Sequence, residues 1–137
     1  MNQVVHPEMR AQVISCLSSL SDIEYQQRVW VRREYPRENF YDDLWVNVGL
    51  LFDTSLVLEA PRDRVGDILV DDSEAVAMER LAGHLAPLIA KLGDADESDY
   101  LAQPAWQDVL AAARDAEKLL RDNLDSTTLW DQRPGKS

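Results

Sequence analysis

Arg28, Trp30, Arg32 and Asp43 are the residues of this sequence whose types and spacing best suit binding chemistry. They lie in YQQRVWVRREYPRENFYDDLW, Tyr25 to Trp45, which gathers four arginines and six large aromatic residues in a chain of formal net charge -11. An arginine fork clamps carboxylates and phosphates and stacks on aromatic faces, so a cleft lined by these four residues would suit an anionic small molecule. Arginine interleaved with aromatic rings also suits nucleic acid. That chemistry requires a local positive excess, however, and Glu34, Glu38, Asp42 and Asp43 cancel Arg28, Arg32, Arg33 and Arg37 within the same stretch. No nucleic-acid partner is expected.

Other chemistries find less to work with. His6 and His84 are the only histidines and Cys16 the only cysteine, so no zinc-type ligand set is expected, and no cofactor. Cys16 shares a helical face with Val13 and Leu17 and is read as a small buried hydrophobe rather than a nucleophile. The run DADESD at 94–99 places Asp94, Asp96 and Ser98 at the alternation of a calcium loop. It lacks the glycine at the sixth position, which is Asp99, and the closing glutamate at the twelfth, which is Ala105. None of the five glycines stands close to another, which removes phosphate loops. The pairs Asp42–Asp43 and Asp71–Asp72 precede expected helices, where negative charge suits the helix dipole. No catalytic residue is assigned.

The elements that would hold these residues are helical. Met9, Val13, Leu17 and Leu20 recur at helical spacing and predict a helix over 8–20. Ser21 and Glu24 match a capping box for a second helix over 22–34, which Pro36 ends. Leu44, Val48 and Leu51 predict a third over 41–52, although Gly49 and the β-branched Val46 and Val48 leave a strand as the competing assignment. Residues 54–72 are expected to be a folded connection whose apolar pieces plug the core edge. A long helix follows Ser73 and ends at Gly93, with Pro87 inside it. The last begins after Pro104 and ends near Asn123. The fold class is therefore all-α: one domain of about five helices over 1–124, the long helices near 73–92 and 104–123 packed on an N-terminal helical hairpin. Residues 125–137, with Leu129 and Trp130, are expected to be a mobile tail.

At 137 residues, with 45% hydrophobic and 28% charged residues, the chain suits a single globular core. No apolar run approaches the roughly 20 residues needed to span a bilayer. No secretory signal pattern is present, and with one cysteine the expected location is the cytoplasm. An excess of 25 acidic over 14 basic residues favours a basic partner over phosphate backbones.

Tyr25-x-x-Arg28-Val29-Trp30, Pro36, Tyr41-Asp42-Asp43-Leu44, Leu51-Phe52-Asp53 and Trp106 after Pro104 together resemble a family of small uncharacterised bacterial proteins, mainly actinobacterial, over about residues 8–120. The resemblance implies a compact single domain. Related acidic proteins that lie beside polymorphic toxins are candidate immunity proteins. Relatives often carry histidine where this chain has Gly49 and a second aspartate where it has Thr54, so no catalytic or metal role carries over. The resulting expectation is a non-enzymatic acidic module, immunity-like or adaptor, recognising a basic protein. The alternatives are a small ligand binder or enzyme using the arginine and tryptophan cleft, and a self-associating helical protein.

Overall fold

The first helix, α1, spans Pro7–Leu20, with Pro7 in its first turn where the missing N–H is not needed. Its buried face is Arg10, Val13, Ile14, Cys16, Leu17 and Leu20, an apolar stripe interrupted by one arginine. A computed structural model describes the backbone of residues 4–136 and the side chains of residues 4–123.

The second helix starts with a short α-turn, α2 (Ile23–Tyr25), and continues as a π-helical segment, Gln26–Val31. Its N-cap is Asp22, not the expected Ser21. Ser21 keeps right-handed helical dihedrals as the C-cap of α1, whereas Asp22 is extended, and its carboxylate accepts from the Tyr25 amide at 3.1 Å. The Ser21 hydroxyl donates to the Ser18 carbonyl at 3.0 Å instead. The helix stops earlier than Pro36 would dictate because Arg33 takes a left-handed φ of 59°.

Residues 41–52 are not a strand. Asp43 caps α3 (Leu44–Val48), and a second π-helical segment, Gly49–Thr54, extends it. The connection that follows contains a 3-10 turn, Pro61–Arg64, and inserts Val57, Leu58, Ile68 and Leu69 into the core. The long helix α4, Asp72–Leu92, is capped by Asp71 rather than Ser73, and it ends as expected at Gly93, φ 57°. A short helix not foreseen from periodicity, α5 (Glu97–Leu101), buries Tyr100. It is too brief to show a repeating pattern. The last helix, α6, spans Trp106–Lys136 and so runs past the expected end near Asn123. The side chains of the expected tail, Leu129 and Trp130 included, lie outside the described residues.

These six α-helices form one all-α domain with no strand among the described residues. Helix α6 packs on α4 and on α1, and α3 packs on α1. The centre is aromatic: Trp106 meets Trp30 edge-on at 6.4 Å and Tyr100 at 6.3 Å between ring centroids. Trp45 approaches Tyr100 in the same way from the surface.

Candidate functional site

Besides Glu97, 9% exposed, two charged centres are built into this interior, and they differ in kind. Arg10 (4% exposed) and Glu74 (0%) meet in a bidentate pair at 2.7 and 2.8 Å. Neighbours add further bonds: Arg10 donates to the Ile68 and Leu120 carbonyls, and Glu74 accepts from the Val70 amide and the Asn123 side chain. This pair ties α1, the 54–71 connection, α4 and α6 together, and its chemistry is structural.

The second group is Asp42, 8% exposed, just before α3. Its Oδ2 accepts from the Tyr25 hydroxyl at 2.7 Å and the Trp30 indole N–H at 3.0 Å, and its Oδ1 accepts from the Asn47 amide at 2.9 Å. All three donors are neutral. Among the described residues no lysine, arginine or histidine bonds to Asp42, so a buried negative charge stands without a counterion. Adjacent residues of an extended chain point opposite ways, which is why Asp43 turns to the α3 amides while Asp42 turns inward.

The four expected site residues are not brought together. Trp30 is 1% exposed and spends its polar edge on Asp42. Arg28 is exposed, its guanidinium 5.9 Å from the centroid of the Tyr25 ring, and Arg32 pairs with Glu34 at 3.1 Å in solvent. Asp43 accepts from the Val46 amide and the Tyr41 hydroxyl as the α3 cap. Arg28, Arg32 and Arg37 therefore do not pair with Asp42 or Asp43 at the start of α3. A short intervening chain already supplies Glu34 and the Tyr25 and Phe40 rings.

Asp42 instead lines a cleft of about 280 Å³ whose walls include Ser15, Cys16, Tyr25, Phe40 and Tyr41. A larger neighbour of about 510 Å³ shares Ser15, Ser19, Tyr25 and Phe40 with it. Burial, reinforced by the Asp42 charge, pushes the Cys16 thiol up to about 12. Burial first, then the hydrogen bond to Asp42, also raises the Tyr25 phenol above its ordinary value.

Both groups stay protonated in the fold above the pH at which the unfolded chain ionises them. Their contribution to stability is thus complete below about pH 7.5 and falls progressively above it, first through the thiol and then through the phenol. Urea midpoints are expected to drop between about pH 7.5 and pH 10.5, and by less in Cys16→Ala. The same thiol should react with a disulfide reagent far more slowly in the native chain than in urea; equal rates would mean Cys16 is not held as described.

Among the described residues no three side chains of the metal-ligating types converge. Asp94, Asp96 and Asp99 are exposed, while Glu97 turns in toward the Leu44 amide at 3.4 Å. A family described as a domain of unknown function (DUF7945) matches residues 4–127. The chain belongs to the DUF7945 family. No curated protein and no solved structure is similar to it. The DUF7945 match spans both buried charged centres and the cleft between α1 and the 36–46 segment. Within this DUF7945 chain Gly49 has open space where a Cβ would stand, and Thr54 is exposed. None of the described helices of the DUF7945 chain is long and apolar enough to cross a membrane.

Proposed function

We propose that the chain is a non-enzymatic binding module of the immunity or adaptor kind, acting in a bacterial cytoplasm, whose acidic surface recognises a basic protein. The observation that carries this reading is the placement of its charge. The net charge is -11, and Asp71, Asp72, Asp94, Asp96 and Asp99 are all exposed at the two ends of α4. The arginines of the 28–37 stretch, by contrast, engage Glu34 and neighbouring rings. Complementary charge raises the rate of encounter and selects against acidic competitors. Tyr41, Trp45 and Val46, exposed around the start of α3, add the apolar contact a lasting interface uses. The burial of Trp30 removes the main wall of the arginine and tryptophan cleft, so the anionic-ligand reading has less support.

Gentle isolation from the native host at low salt tests this. A basic protein is expected to accompany the chain and to leave at about 1 M salt, where the screening length is about 3 Å. Recovery of the chain alone, or only as a homo-oligomer by scattering, would count against the proposal.

A further inference from the structure

We infer that the Asp42 cleft receives the guanidinium or ammonium head of an arginine or lysine presented by the partner protein. This rests on the basic-partner reading above and names the site at which that partner is read.

Among the described residues Asp42 is the only charged one lining the cleft, and it is more than nine-tenths buried. A carboxylate has about four acceptor directions. Three are filled by Tyr25, Trp30 and Asn47, two on Oδ2 and one on Oδ1, which leaves room on Oδ1. All the donors being neutral, the negative charge remains to be matched, and a buried charge favours a paired cation. Tyr25, Phe40 and Tyr41 also line the space, and aromatic rings attract organic cations. Arg28 and Arg37 already hold their guanidinium groups 5.9 and 5.3 Å from the Tyr25 and Phe40 centroids, and neither lines the cleft. The space is therefore not filled from within by these arginines.

A volume of about 280 Å³ lies at the small end of the roughly 300–1,000 Å³ typical of small-molecule sites. It suits the end of one long side chain. The adjoining cleft of about 510 Å³ shares four walls with it and offers room for the residues on either side of that cation. Asp22 and Arg121 line this second space, so it accepts flanking residues of either sign.

The Trp30 indole N–H is a built-in reporter, since it bonds to the carboxylate that the cation would approach. The full chain, labelled with nitrogen-15, is titrated with acetyl-Gly-Arg-Gly-amide, its lysine counterpart, the neutral citrulline analogue and n-butylammonium. The arginine and lysine peptides are expected to shift the Trp30 indole resonance saturably, and citrulline to bind at least about tenfold more weakly. Asp42→Asn should abolish the shift. Because that change touches a buried hydrogen-bonded cluster, Ser15→Trp, which fills the cleft mouth from an exposed position, provides the second variant and should abolish it too.

No indole shift with either peptide, equal binding of citrulline, or full binding by folded Ser15→Trp would overturn the inference. Binding of n-butylammonium as tight as the lysine peptide would overturn the commitment to a protein segment. The two proposals fail separately: capture of the basic partner by Ser15→Trp with unchanged affinity removes the cleft and leaves the partner, whereas peptide binding with no partner recovered does the reverse.

Discussion

Glu74→Ala is expected to lose about 3–5 kcal/mol of folding stability, a large share of the total for a domain of this size. The loss does not equal the strength of the ion pair. It arises because Arg10, 4% exposed, is left as a buried guanidinium without a counterion, and the Val70 amide loses its acceptor. The double change Arg10→Met with Glu74→Leu removes both charges together and is expected to recover most of the stability. Urea unfolding followed by circular dichroism at constant slope distinguishes the cases. A double variant as weak as Glu74→Ala would show that the pair itself, rather than its imbalance, holds α1, α4 and α6 together.

Trp106→Ala is expected to lose a similar amount, about 3–5 kcal/mol, for an apolar reason. Its ring is fully buried between Trp30 and Tyr100, in edge contacts at 73° and 78°. Its indole N–H donates to the Gln26 side chain at 3.0 Å, and Gln26 in turn donates to the Ser19 carbonyl at 2.7 Å. Removal opens a cavity and strands the Gln26 oxygen. Trp106→Phe keeps most of the aromatic contact and loses the donor, so about 1–3 kcal/mol is expected from the unsatisfied oxygen alone. If Phe and Ala are equally damaging, the hydrogen bond outweighs the ring packing.

Both centres explain what could be read from sequence and what could not. Helical periodicity located α1, α4 and the start of α6 because their apolar residues fall on one face. The same periodicity carried a signal that went unread. Arg10 continues the Val13, Leu17 stripe, and Glu74 continues the Met78, Leu81, Leu85, Leu88 stripe, so two opposite charges sit on buried faces and imply each other. Cap residues were misplaced by one or two positions, because Ser21 and Asp22 differ in backbone dihedrals rather than in capping ability. The π-helical segments Gln26–Val31 and Gly49–Thr54 leave no compositional mark, and they change which side chains face inward. Trp30 therefore moved from expected cleft wall to buried donor. Asp42 took the place that Asp43 had been given, since the two carboxylates are identical in sequence terms and only the direction of an extended chain separates them.

Recognition of a basic partner is most directly tested by the ionic-strength dependence of association between this chain and whatever protein accompanies it at low salt. The association rate is predicted to fall steeply as salt rises while the dissociation rate changes little, and the partner's contact surface is predicted to be basic. An association rate indifferent to salt, or a partner with an acidic surface, would contradict it.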